Sequence, residues 1–175
     1  MAYTFFKARG VPVGRSLVED DKVETARTIE ADARQRGVSF ELPVDHVVTD
    51  RVEAGSANEV LEVGAPRIGD RYGVDIGPAT IKAYAAAIAG AKTVVWNGPM
   101  GVFEIEAFAA GTNGVARAVA AVDGTTIIGG GDSIAAANKA GVAEKITHIS
   151  TGGGASLEFL GGETLPGVAA LAEKS

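Results

Sequence analysis

The sequence predicts an α/β fold, a doubly wound and mostly parallel sheet with helices on both faces in the Rossmann-like manner. Three observations predict it. Short runs rich in β-branched residues recur along the second half of the chain, each ending in a glycine cluster. Alanine- and valine-rich stretches with helical spacing lie between those runs. Glycine fills 24 of the 175 positions, about twice its usual share of ~7%. Strand, glycine turn, helix, strand is the grammar of a parallel βαβ domain.

In chain order, residues 1–8 read as a helix closed by Gly10, and 20–36 as a charged amphipathic helix. The latter turns Val23, Ala26, Ile29 and Ala33 inward and stops at Gly37. Residues 38–42 and 45–48 are strand candidates, and 51–71 mixes strand and turn signals without a definite assignment. Residues 78–89 form a helix that starts at Pro78, where a missing amide costs nothing, and ends before Gly90. The run 92–96 leads into Asn97-Gly98-Pro99-Met100-Gly101. The run 125–128 leads into Gly129-Gly130-Gly131-Asp132-Ser133, and 146–149 into Ser150-Thr151-Gly152-Gly153-Gly154. Each run suits a strand buried on both faces. Helices are expected over 111–122, with Val115, Ala118, Val119 and Val122 on one side, and over 133–139. No linker or low-complexity segment interrupts the chain, so a single domain spanning 1–175 is expected.

Composition removes several functions. There are 22 acidic against 16 basic side chains, a net charge of -6, which argues against a broad electrostatic grip on nucleic acid or an anionic membrane. No cysteine is present, so disulfides, thiolate metal sites and cysteine nucleophiles are excluded together. No uncharged apolar run approaches the ~18 residues of a membrane span. The first residues lack the apolar core of a secretory signal, and a cytoplasmic protein is expected. With 46% hydrophobic residues, the glycine content signals turns in a packed domain rather than disorder.

A glycine turn after a buried strand lets a ligand approach the backbone closely. Where a helix begins there, several free N–H groups and the positive end of the helix dipole suit phosphate oxygens. Tight turns and close packing alone are the other reading of any one triglycine, but three glycine-bearing turns, two of them triglycines, at the strand ends of one parallel sheet favour a ligand. The P-loop pattern is absent. The dinucleotide fingerprint fails as well, because Ile134 and Leu157 stand where its third glycine belongs. A carboxylate at Asp132 beside phosphate makes sense with a cation between, and magnesium takes one carboxylate plus phosphate oxygens readily. Asp132 also suits a helix N-cap, and the two roles are compatible. No hydrolytic constellation occurs. His46 and His148 are the only histidines; His148 falls in a strand and reads as structural. Trp96 reads as core, and Glu104 with Glu106 reads as a helix-start pair favouring the dipole.

The ordered set Val94-Val95-Trp96-Asn97-Gly98-Pro99-Met100-Gly101-Val102-Phe103-Glu104, then Ile127 to Ser133, then Ser150 to Glu158 resembles phosphoglycerate kinase. Met1-Ala2-Tyr3-Thr4-Phe5, Leu42-Pro43-Val44-Asp45, Asp75-Ile76-Gly77-Pro78 and Leu165-Pro166-Gly167-Val168 resemble it too. The likeness runs the whole chain and matches the carboxyl-terminal, nucleotide-binding lobe. It implies an incomplete domain, truncated at its start. By the same resemblance, the amino-terminal lobe that takes 3-phosphoglycerate is expected to lie outside these residues, as are the opening strands, a glycine cluster and the phosphate-binding lysines.

The resemblance implies reversible phosphoryl transfer between ATP and 3-phosphoglycerate, with Mg2+ accompanying ATP or ADP, and no nucleic-acid or membrane partner. By the same resemblance Asp132 binds the metal, and Gly130, Gly131 and Ser133 meet the nucleotide phosphates. Asn97 contacts the phosphate chain and Glu104 the ribose. Leu17, Gly73, Val74, Pro99 and Val102 wall the adenine, and Gly152, Gly153 and Gly154 offer helix-start amides to the migrating phosphoryl group. Negligible turnover by this chain alone and self-association through exposed sheet edges are expected. The alternative is a non-catalytic module that binds a nucleotide or another phosphate ester.

Overall fold

A computed structural model describes residues 1–171. The chain forms two compact units, one made of Met1–Ala87 and Met100–Val115, the other of Ile88–Pro99 and the chain from Ala116 onward.

In the first unit, α1 (Ala2–Ala8) packs on α2 (Val23–Gln35), which follows a 3-10 turn at Asp20–Lys22. Arg27 donates to the Ala8 carbonyl at the end of α1 at 3.1 Å, and Arg9 pairs with Glu30. Three strands follow: β1 (Asp45–Thr49), β2 (Asn58–Glu62) and β3 (Tyr72–Ile76). They form an antiparallel sheet in the order β2-β1-β3. β1 is central and buried along its length. Its alternation sends Val47 to a core with Val74 and Phe108, and Val48 to a second with Leu61 and Ile68.

Residues 38–42, expected as a strand, join no sheet among the described residues. Phe40 turns its ring onto Phe5 at 5.0 Å, and Pro43 beyond has no amide to give a ladder. β2 lies within 51–71, which had no definite assignment, and β3 lies just beyond it, where no strand was expected.

The helix α3 (Pro78–Ala89) has the bounds its proline and glycine announce. Its first amides are capped from β1: the Asp45 carboxylate accepts from Ala79 at 2.9 Å, from Thr80 at 2.8 Å and from the Thr80 hydroxyl at 2.6 Å. The helix α4 (Ala110–Ala120) is met in the same way from β3, where Asp75 accepts the Gly111 amide at 2.7 Å.

The second unit holds the parallel sheet. β4 (Thr93–Asn97), β5 (Thr125–Gly129) and β6 (His148–Ser150) lie in that order. After β5 comes α5 (Gly131–Lys139), and after β6 come α6 (Gly153–Leu160) and α7 (Pro166–Ala169). The α/β class is therefore as expected, with an antiparallel sheet in addition.

The strands are not buried on both faces. Trp96 and Ile128, opposite each other in register, are buried, whereas Val95 on the other face is 40% exposed and Ile127 beside it half-buried. Apolar composition fits a strand for double cover, but cover exists only where another element lies over it. Trp96 is core, as expected, while His148 is exposed on β6. Among the described residues no helix is long and apolar enough to cross a membrane.

Candidate functional site

In the second unit the register brings Asn97, Gly129 and Ser150 into one row at the carboxyl ends of three adjacent parallel strands. This is where α/β sheets bind ligands. Two helices start just beyond the row. α5 has Gly130 as its N-cap at φ 90°, a conformation that side-chain-bearing residues rarely adopt. The first intrahelical bond runs from the Ile134 amide to the Gly130 carbonyl at 3.1 Å. The amides of Gly131, Asp132 and Ser133 therefore have no acceptor within the helix. α6 starts likewise at Gly152, with the Ser156 amide reaching the Gly152 carbonyl at 2.8 Å, which leaves Gly153, Gly154 and Ala155 with outward amides.

These starts are tied together. The Asn97 amide group donates to the Gly153 carbonyl at 3.5 Å. A Cβ on Gly153 would lie 2.8 Å from the Gly130 Cα, so the two glycine turns touch through bare backbone. The Gly98 amide donates to the Ser133 hydroxyl at 2.6 Å, and the Trp96 indole donates to the Gly98 carbonyl at 2.7 Å. Ser133 is thus buried and its side chain engaged in structure. Its role was expected only through the amide; that its hydroxyl clamps Gly98 had no sequence signal beyond a hydroxyl residue after a triglycine. Asp132 is exposed in the first turn of α5 and is not the N-cap, since the helix begins one residue before it.

The other expected positions lie in the first unit, except Pro99, which is half-buried after Gly98. Gly73, Val74 and Val102 line one pocket of about 140 Å³ together with Tyr3, His46 and Asp75. Leu17 does not line it and is 83% exposed. Glu104 is exposed, ahead of the 3-10 turn Glu106–Phe108, so only Glu106 sits at a helical start.

Three titratable side chains, Tyr3, His46 and Asp75, line the pocket. The Tyr3 hydroxyl and His46 Nδ1 lie 2.8 Å apart with the rings stacked. Burial pushes the Tyr3 phenol up to about 12, the Ser16 hydroxyl opposing and the Asp75 charge adding to the rise. Burial lowers the His46 imidazole, helped by Arg71 and opposed by Asp45. Burial raises Asp75 to about 6, because the Gly111 and Ile76 amides do not make up for lost water. Asp45 goes the other way: burial pushes up, but the Thr80 hydroxyl and the Ala79 and Thr80 amides together hold its carboxyl below the usual range. More donors on one carboxylate decide the sign.

Among the described residues no group of three His, Asp or Glu side chains could hold a metal by itself. Asp132 is a lone exposed carboxylate beside helix-start amides, and such a site fits a cation only if an anionic ligand supplies further oxygens. That is the usual binding mode of Mg2+.

The model of the phosphoglycerate kinase family matches residues 1–163. The chain is 60% identical over 174 residues to a phosphoglycerate kinase of Moorella thermoacetica and 55% identical over 177 residues to one of Acaryochloris marina. It is covered over 99% of its own length in both cases, against 44% of theirs. The solved phosphoglycerate kinase of Coxiella burnetii superposes with a TM-score of 0.91 at 42% identity, over 96% of this chain and 43% of that one. The one from Pyrococcus horikoshii gives 0.79 at 35% identity, over 97% and 42%. The chain thus spans less than half the length of the relatives it matches, and over that span fold and sequence agree: it belongs to the phosphoglycerate kinase family.

Proposed function

We propose that residues 1–175 are a partial nucleotide-binding domain that supplies the Mg2+–nucleotide side of phosphoglycerate kinase chemistry. That chemistry is the reversible transfer of a phosphoryl group between ATP and 3-phosphoglycerate. The observation that carries this is the row Asn97, Gly129, Ser150 with two helix starts beyond it, which presents unpaired amides to a polyanion.

In the direction that forms ATP, a β-phosphate oxygen of ADP bonds to phosphorus while the bond from phosphorus to the acyl oxygen breaks, releasing a carboxylate. The nucleophile is already anionic and the leaving group is a weak base, so neither general base nor general acid is required. The absence of a histidine from the strand-end row is consistent with that. The chain's contribution is positioning and donors directed at charge on the moving group. Gly131 and Ser133 amides serve the nucleotide phosphates, with Gly130 giving them room. Asn97 serves the phosphate chain, and the amides at Gly152, Gly153 and Gly154 serve the transferred phosphoryl. Gly73, Val74 and Val102 wall the base, and Glu104 meets the ribose. Asp132 would hold the Mg2+, which when bound neutralises phosphate charge. The setting is cytoplasmic, where the nucleotide substrate is found.

Calorimetric titration of Mg-ADP into the chain is expected to give weak binding that Asp132→Ala reduces roughly 10- to 100-fold, the worth of one charge-assisted contact at ~1.5–3 kcal/mol. Turnover in a coupled assay from 1,3-bisphosphoglycerate is expected to be negligible. Removing a single transition-state donor already costs ~10²–10³ in rate, and these 175 residues span less than half the length of the relatives they match. Rates like those of two-lobe enzymes would refute the proposal. Binding of small phosphate esters without nucleotide would favour the non-catalytic alternative.

A further inference from the structure

Residues 100–111 carry Val102 and Glu104, yet the only regular piece in them before α4 is the 3-10 turn Glu106–Phe108. What holds this stretch is β3. The Val102 amide donates to the Val74 carbonyl at 2.8 Å. One carboxylate oxygen of Asp75 accepts the Gly111 amide at 2.7 Å, and the other accepts the Ile76 amide at 2.9 Å. A Cβ on either Gly101 or Gly111 would collide with the Asp75 carboxylate, so the backbone runs against it near both ends of the stretch. One residue further, the buried Thr112 hydroxyl accepts the amides of Met100 at 3.0 Å and Gly101 at 3.3 Å.

We infer that Asp75 is a positioning residue for nucleotide binding: its carboxylate anchors residues 100–111 against β3 and so fixes the Val102 wall of the pocket. This rests on the nucleotide reading proposed above. Asp75 is 5% exposed. The other titratable groups around the pocket are Tyr3 from α1 and His46 from β1. Residues 100–111 contribute only Glu104 and Glu106, both exposed. Ionised Asp75 offers an oxygen to each of two amides. Burial raises Asp75 to about 6, so the packed segment takes a proton more readily than an opened one and is held more tightly on mild acidification.

The test is amide exchange and adenosine affinity, measured on the full 175-residue chain at neutral and mildly acidic pH. Adenosine carries no phosphate to titrate. Asp75→Asn is expected to lower protection at Gly111 and Val102 roughly 10- to 100-fold, the worth of a hydrogen bond to a charged group. It should leave Ile128 unchanged and weaken adenosine binding. The unaltered chain should gain protection at Gly111 and Val102 on acidification through 6, and the variant should not. Thr112→Val should also loosen Met100 and Gly101, but independently of pH. If Asp75→Asn fails to fold, the pH series on the unaltered chain decides alone. Equal protection at both pH values overturns the inference. Adenosine binding that ignores both pH and Asp75, while Mg-ADP still shifts the amides at 152–154, overturns it and leaves the nucleotide reading intact. Absence of any nucleotide or adenosine binding overturns the reading itself, and the role of Asp75 with it.

Discussion

His46 shows what one buried ring does to the response of the first unit to pH. It is 3% exposed, its Nδ1 is engaged with Tyr3, and its Nε2 has no partner among the described residues. Its folded pKa lies below the ordinary 6.5, so as pH falls the unfolded chain takes the proton first. The stability this ring contributes is complete above about 6.5 and is lost on acidification. Asp75 opposes it: with its pKa raised to about 6, its contribution is present below about 4 and lost as pH rises through 6. Comparing melts of His46→Phe and the unaltered chain separates the two. The variant should gain relative stability from pH 7 to pH 5, by at most about 1.4 kcal/mol per pH unit for one proton. A constant difference would show that this imidazole is not held neutral. His46 could be listed from sequence as one of two histidines, but its burial depends on α1 closing over β1, which its immediate neighbours do not encode.

At the level of elements, the helix starts are governed by carboxylates from distant strands. Asp45 satisfies two amides and a hydroxyl at the start of α3, and the two donors of Thr80 are buried. Asp45→Ala should cost about 3 kcal/mol in urea unfolding, since an orphaned buried group costs ~1–3 kcal/mol. Asp20→Ala, which removes only an exposed pair with Lys7, should stay within ~0.5 kcal/mol. A reversal of that ranking would refute the capping assignment. The bounds of α3 were readable from Pro78 and Gly90 because both act locally. β3 was not readable as a strand, because Gly73 and Asp75 interrupt its apolar pattern, and Asp75 is there to serve α4. The three strand–glycine runs were readable for the same local reasons as α3. Whether both their faces are covered was not, since that depends on what lies across the sheet.

For the whole molecule, the exposed apolar side chains of the second unit matter most for behaviour in solution. Val95 and Ile149 on the sheet, and Leu157, Phe159 and Leu160 on α6, are between 37% and 67% exposed. A net charge of -6 is modest protection against association through such surface. Light scattering should find species larger than a monomer, more so at high salt; a monodisperse monomer under both conditions would contradict this. The strand-end row was legible as glycines after strands, whereas the Gly98–Ser133 clamp needed the strands paired before it existed. A related dependence governs how the first unit is assembled. The carboxylates at the starts of α3 and α4 lie 34 to 36 residues away from the amides they accept, so neither helix carries its own nucleus. Their first turns should acquire protection together with the β1–β3 pairing during refolding, a non-local and therefore slow event, and not ahead of it as a self-capped helix would.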